Sequence, residues 1–309
     1  MTRFTTTSRT LLALSTCLAP SLAFACSCGC GVFDVGTDAM FPGHAGAMVF
    51  AEYDFMDQNE NWHGTSDAPA NDNEDKRIDT SFMNVGLQYT FNRAWGALLE
   101  IPYWQRHFRT TDEDTGDIAS FTHSALGDIR IKGVYSGFSP DMSSGVTFGL
   151  KLATGDSSYS HFDSDTEIGS GSTDVLLGAY HLGRIGADGR WSWFVNAQWQ
   201  QPVAHKNTYR PGDEVDAVMG AEYKGWSLGS FGTLAAIVQL KGVYRDHDGG
   251  RNGDEDNSGY TRLLISPGLQ LDVHKVSLFF DIGVPLHTDT TGNQLVAPLL
   301  WKLNVGYHI

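Results

Sequence analysis

The chain has 309 residues, 41% hydrophobic, 12% aromatic and 18% charged, with 35 glycines and a formal net charge of −15. That length allows two ordinary domains or one large barrel, and no apolar run of about 18 or more residues follows the N-terminal segment, which excludes helical membrane spans. The acidic balance, with no basic stretch concentrated enough to track phosphates, argues against a nucleic-acid partner.

Residues 1–25 read as an export signal. Arg3 and Arg9 precede a mostly apolar run from Leu11 to Leu22, and Ala23-Phe24-Ala25 is an A-x-A cleavage site. Cleavage leaves Cys26 first and 19 basic against 36 acidic residues, a net charge of −17. The rival reading is a lipoprotein signal with Cys26 acylated; Ala23 stands where Leu is usual and bulky Phe24 follows, so ordinary cleavage is favoured. Residues 26–45 then form a periplasmic segment carrying Cys26, Cys28 and Cys30, with no partner cysteine elsewhere in the mature chain. Thiolates at every second position suit a soft ion such as Cu(I) or Zn(II). Oxidation, a disulfide between chains, or lipidation of Cys26 are the alternatives.

From Gly46 onward the chain alternates with a period of two. Val49, Ala51, Tyr53 and Phe55 form the first apolar row, and an acidic, Asn-rich stretch from Asp57 to Lys76 reads as a loop. Met83, Val85, Leu87, Tyr89 and Phe91 follow, then a short turn at Asn92-Arg93 and the row Ala97, Leu99, Ile101 and Tyr103. A second polar segment, Thr110 to Ser124, precedes Ile129, Ile131, Gly133 and Tyr135; Val146, Phe148, Leu150 and Leu152 lead into a third from Gly155 to Ser172. Val175 to Leu182 is a strand of undetermined parity. Rows then begin at Trp191, Val215, Leu234, Leu263 and Val276, with an acidic loop at Asp246 to Asn257. The last, Leu299 to Ile309, is apolar at every second residue and finishes on Tyr-x-Ile; outer-membrane barrels characteristically end on such an amphipathic strand, and Ile309 departs slightly from the stronger form with a terminal aromatic.

Two regularities select the fold class. Short connections (Asn92-Arg93, Gly225-Trp226, His274-Lys275) alternate with long polar ones, as periplasmic turns alternate with external loops. About twelve strands emerge, an even number, and each row supplies the roughly 9–11 residues that a spanning strand needs. The prediction is an all-β, transmembrane, antiparallel up-and-down barrel over residues 46–309, in the outer membrane of a Gram-negative bacterium. Aromatics at the row ends, such as Tyr89, Trp95, Trp191 and Tyr223, fit interfacial girdles. The competing fold is a secreted β-sandwich, which needs no consistently short end.

With the apolar rows toward lipid, the complementary parity lines a lumen of mixed charge. Its candidate pore-lining residues are Glu100, Arg106, Asp128, Arg130, Lys132, Lys151, Glu222, Lys241, Arg262 and Lys302. The acidic loops have the oxygen density to hold Ca²⁺ or to join lipopolysaccharide through shared cations, although the stretch from Asp246 departs from EF-hand spacing at Arg251 and Asn257. No G-x-S-x-G, H-E-x-x-H or P-loop occurs, so no enzymatic activity is expected.

Ser124-Ala125-Leu126-Gly127-Asp128-Ile129 and Gly149-Leu150-Lys151-Leu152-Ala153-Thr154-Gly155-Asp156 resemble the "GLGD" and "lklPTGD" blocks of the outer-membrane barrel family described as MetA-pathway of phenol degradation. Ala153 stands where that family has Pro. The resemblance implies an outer-membrane, transport-related protein without implying phenol as substrate. The expected function is passage of a small solute through the barrel, with outer-membrane lipid, lipopolysaccharide and the barrel-assembly machinery as partners. The alternatives are metal handling or partner docking through Cys26, Cys28 and Cys30, and a structural or adhesive barrel with cation-binding loops.

Overall fold

The computed structural model describes residues 46–112, 115–206 and 208–309. Cys26, Cys28 and Cys30 and the predicted signal peptide lie outside the described residues. The strands are β1 (Gly46–Gln58), β2 (Glu60–Gly64), β3 (Ser66–Asp67), β4 (Asp75–Thr90), β5 (Trp95–Thr111), β6 (Ile118–Leu126), β7 (Arg130–Tyr135) and β8 (Ser144–Lys151). They continue as β9 (Thr173–Ile185), β10 (Trp191–Ala204), β11 (Glu214–Ser227), β12 (Thr233–Arg245), β13 (Tyr260–Val273), β14 (Val276–Val296) and β15 (Leu300–His308). β6 and β7 both pair with β5 and are two halves of one stave. β2 and β3 form a small ladder against the far end of β14. The remaining strands give twelve antiparallel staves among the described residues, each beside its neighbour in sequence. β1 and β15 pair from Met48↔His308 to Met56↔Leu300 and close the barrel. Closure leaves no row of unpaired backbone groups, the condition for a sheet in hydrocarbon.

The alternation seen in sequence is inside out relative to a water-soluble fold. On β4, Met83, Val85, Leu87 and Tyr89 are exposed, whereas Phe82, Gln88 and Thr90 are buried. On β15, Leu303, Val305 and Tyr307 face outward while Lys302 and Asn304 are buried. A continuous apolar exterior over a charged interior is stable only where the surrounding solvent is hydrocarbon. Trp191 lies on this exterior rather than between two sheets. Val85→Arg, a charge in the middle of the lipid face, is therefore expected to cost about 2–4 kcal/mol. Unfolding in lipid vesicles measures that cost, and a loss under about 0.5 kcal/mol, the scale of ordinary surface changes, would contradict the assignment of this face.

Rings gather toward the end with short turns. Tyr89 and Phe91 lie 4.9 Å apart, Trp95 and Tyr135 4.8 Å, and Trp191 and Tyr223 4.7 Å. Rings with a polar edge, such as Tyr89, Trp95 and Trp191, suit the zone where headgroups meet the acyl region.

Three sequence expectations need correction. The turn placed at Gly225-Trp226 is inside β11, at a register shift between Tyr223 and Trp226, and the reversal comes after Ser227. The stretch 57–76 is not a plain loop: β1 runs on through Gln58, and β2, β3 and a short 3₁₀ turn at Ala70–Asp72 follow. Most of 110–124 is likewise ladder, since β5 extends to Thr111 and β6 begins at Ile118. All three lie near the rims of the barrel. Beyond the hydrocarbon a strand keeps its hydrogen bonds but no longer needs one apolar face, so the period-two signal fades while the sheet continues. The open parity of the 175–182 strand is settled, with Leu176 and Tyr180 inward and Leu177 outward.

The interior is partly packed. Met56, Phe82, Val243, Tyr260, Leu264, Ala297 and Leu300 form one apolar cluster, with Trp104 against it. Phe194, Val218, Ile237 and Phe279 form another in the half nearer the short turns. Phe194 lies over Gly220, its partner across β10 and β11, where any Cβ would come within 2.3 Å of the ring.

Candidate functional site

The site begins at a break in the fourth stave. Pro102 on β5 has no N–H to donate, and its carbonyl, which points the same way, accepts from Gly127 at 3.0 Å. The ladder from β5 therefore stops at Tyr103↔Leu126 and resumes at Glu100↔Arg130. Gly127-Asp128-Ile129 leaves the ladder between them. Asp128, buried, aims its carboxylate at the segment joining β8 to β9. Its Oδ1 accepts from the Gly155 amide at 2.9 Å; its Oδ2 accepts from the Ser170 amide at 2.9 Å and the Ser170 hydroxyl at 2.5 Å. Thr154 Oγ1 accepts from the Ile129 amide at 2.9 Å. The two motif blocks thus interlock, one carboxylate gathering both ends of a loop. Gly155 and Gly169 touch backbone to backbone, and a Cβ on Gly169 would come within 2.4 Å of Gly155.

The loop between those ends folds back over the barrel mouth. Thr166 and Ile168 are buried. Arg106, 1% exposed, donates from Nη1 to the carbonyls of Thr166 (2.5 Å) and Glu167 (3.4 Å), and from Nε to Thr80 Oγ1 at 3.0 Å. His123 stacks on Tyr159 at 3.7 Å and meets Asp156 at 2.9 Å, and Phe162 lies 5.4 Å from Phe108. Lys206 donates to the Ser157 carbonyl. Across the mouth, Asp248 accepts from the Gly212 amide (2.8 Å), Tyr209 Oη (3.0 Å) and Arg245 Nη2 (2.6 Å), holding a second rim segment inward.

Beneath these segments lies a cavity of about 90 Å³, partly open to solvent. Glu100, Asp128, Arg130 and Lys151 line it, joined by Glu52, Asp54, Trp104, Glu167, Gln200, Glu214 and Arg245. Lys151 Nζ stands 2.6 Å from Asp174 and 3.9 Å from Asp128, and Lys132 Nζ is 3.2 Å from Glu100. Lys241 and Lys302 belong to an adjoining network. Lys302 Nζ reaches Glu52 at 2.9 Å and Asp54 at 3.9 Å; Lys241 reaches Asp281 at 2.6 Å, and Gln239 Nε2 donates to the same carboxylate at 3.0 Å. Glu222 and Arg262 lie elsewhere. Glu222 accepts from Ser192 at 2.9 Å and pairs with Lys224 near the short-turn end, and the Arg262 guanidinium covers the Tyr260 ring at 4.2 Å.

Asp54, Glu167, Asp174, Glu214 and Arg245 were not among the residues expected to line the interior. Asp54 was legible, being two residues from Glu52 on the same face. The others sit at strand ends or in the folded-back loop, where alternation carries no information. Among the described residues no three or more His, Cys, Asp or Glu side chains are grouped to hold a metal ion.

Glu167, in the loop, has its carboxyl pushed above the ordinary value of 4.5 by burial, with the Tyr159 amide, donating at 3.3 Å, pulling the other way. Docked, Glu167 therefore holds its proton more tightly than it does in water. The docked loop is favoured as pH falls and weakened as pH rises from 4.5 through the raised value. The loop should accordingly be less open to proteolysis in mildly acidic buffer than at neutral pH, and Glu167→Gln should remove the difference; an unchanged pH profile in that variant would exclude this residue as the origin.

No family model matches the sequence, nor does any curated protein. Among solved structures, an outer membrane channel from Pseudomonas putida F1 is similar over 89% of this chain and 100% of its own, with a TM-score of 0.66 and 12% identity. The β domain of the Bordetella autotransporter BrkA (TM-score 0.49, 9% identity, 86% of this chain and 100% of that one) is more distant. So is the transport unit of the autotransporter AIDA-I from Escherichia coli (0.47, 9%, 90% and 94%). The likeness to the channel is one of fold, and it agrees with the closed sheet and the inverted burial. The protein is an outer-membrane β-barrel. In this barrel the interior is neither a plain packed core nor a wide open tube, but a charged cavity with an inward-folded loop across its outer end.

Proposed function

We propose that the barrel is a channel or facilitator that carries a small solute across the outer membrane through its interior. The observation that carries this reading is the cavity beneath the folded-back loop. A barrel serving only as a scaffold would pack its interior to the density of other protein cores, whereas a partly open cavity with charged side chains set among apolar surface is the kind of space that admits a small solute. The loop held by Arg106 and Asp128 forms the outer constriction. The cluster of Phe194, Val218, Ile237 and Phe279 forms an apolar constriction nearer the periplasm, of the kind that gates by excluding water.

Of the residues assigned to the lumen, Glu100, Asp128, Arg130 and Lys151 meet the solute in this reading. Arg106, Lys132, Lys241 and Lys302 position those walls, and Glu222 and Arg262 lie outside the cavity. The fold shared with the Pseudomonas putida channel and the two interlocked motif blocks support a transport role over an enzymatic one. Outer-membrane lipid, lipopolysaccharide and the barrel-assembly machinery are the partners that this location implies.

Purified protein in liposomes should admit small sugars or amino acids in swelling assays and give discrete conductance in planar bilayers. Silence toward every solute, together with no conductance from either the native protein or a variant lacking residues 157–168, would leave only a structural role.

A further inference from the structure

The chemistry of the cavity wall points beyond passage in general to a class of solute. Among the described residues the wall carries seven carboxylates against three cationic groups. Lys151 is held by Asp174 at 2.6 Å, and Arg245 by Asp248 at 2.6 Å. Behind the wall, Lys302 serves both Glu52 and Asp54, so two carboxylates share one ammonium.

Asp54 is the focus. It is fully buried against the Glu52 carboxyl, neither oxygen receives an N–H from a described residue, and the Lys302 ammonium stands 3.9 Å off. A desolvated carboxylate lacking donors is costly unless something supplies them. On the opposite wall, six staves away, Gln200 is also buried; its Nε2 is used on Asp174, but its Oε1 has no donor. Two carboxyls on one ammonium and an amide oxygen without a donor call for a further donor, and with seven carboxylates in the wall a positively charged one is favoured. A bare metal ion would want several oxygens converging, and no such grouping exists among the described residues. Rings are present instead. Trp104 stands edge-on to Phe82 at 4.8 Å, both lining the cavity with Tyr209 on the far side. Aromatic faces beside carboxylates suit an organic ammonium, which they attract through the ring quadrupole.

We propose that the cavity selects small organic cations, a protonated amine on an apolar or aromatic body. Asp54 receives the ammonium, Gln200 Oε1 offers a second acceptor, and Trp104 and Phe82 pack the body. The proposal rests on the channel reading for its transport consequence, and on the cavity alone for binding.

Reversal potentials across planar bilayers, in gradients of phenethylammonium chloride and of sodium phenylacetate, separate the two. Phenethylammonium should be the more permeant by on the order of tenfold, and Asp54→Asn, which keeps shape and removes charge, should bring the ratio close to one. Trp104→Leu should leave ethylammonium passage unchanged while slowing phenethylammonium several-fold, a second reading should Asp54→Asn fail to fold. Conductance without cation preference would overturn this proposal and leave the channel standing. Absence of conductance, with saturable phenethylammonium binding in detergent that Asp54→Asn abolishes, would do the reverse. Absence of both would remove both.

Discussion

Lys302→Met is expected to lower folding stability by about 3–5 kcal/mol. The side chain is 1% exposed as a residue and is the cation that Glu52 and Asp54 share in the barrel interior. Methionine fills nearly the same volume, so little of the loss would come from packing. What remains is a pair of buried carboxylates with no ammonium between them, beside Asp281, which Lys241 already occupies. Leaving one partner of a buried pair alone costs more than the pair was worth, because the orphaned charge keeps its desolvation penalty. Two further variants locate the effect. Adding Glu52→Gln and Asp54→Asn to Lys302→Met should recover most of the loss, as coupled sites do. Lys275→Met, at the exposed turn between β13 and β14, should change stability by no more than about 0.5 kcal/mol. Denaturant unfolding in lipid vesicles, followed by tryptophan fluorescence, measures all three; a loss under about 1 kcal/mol in the single variant would mean that the network does not hold these strands.

Arg106→Ala should increase flux. The guanidinium ties the carbonyls of Thr166 and Glu167 to β5 and also holds Thr80 on β4, so its removal leaves two loop carbonyls without their donor at the barrel mouth. Hydrogen bonds to a charged group contribute about 1.5–3 kcal/mol each, enough to shift a loop from docked to largely undocked if docking is only modestly favourable. Single-channel conductance and swelling rates should both rise several-fold, with the barrel strands keeping their hydrogen-exchange protection and the loop losing it. Asp128→Asn tests the same loop from its other anchor. The amide keeps an acceptor for Gly155 or Ser170 but loses the charge, so the rise in flux should be smaller than in Arg106→Ala. Conductance unchanged in both variants would show that the loop does not obstruct the path.

How much of this could be read in advance varied along the chain. Met83, Val85, Leu87 and Tyr89 announced a lipid face because hydrocarbon imposes one demand on every second residue, and the structure meets it at all four. The interior positions of Lys302, Lys241 and Asp128 follow from the same parity. Their partners do not follow, because Glu52, Asp281 and Gly155 come from distant parts of the chain and are brought close only by closure and register. The break at Gly127-Asp128-Ile129 was visible as a motif, but its cause lies in Pro102, which faces it from the neighbouring stave. The turn at Gly225-Trp226 was misplaced because a register shift there imitates a reversal in the pattern of side chains.

By itself the sequence determined that these strands form a barrel with apolar sides outward, since two-residue periodicity and the cost of unpaired backbone in lipid leave no other closed arrangement. The tertiary structure alone decided what the interior holds. Whether the segment after Lys151 leads away from the barrel or folds across its mouth depends on a carboxylate on one stave and a guanidinium on another. Local sequence does not encode such meetings: each is a short-range bond between groups that only the assembled sheet brings within reach.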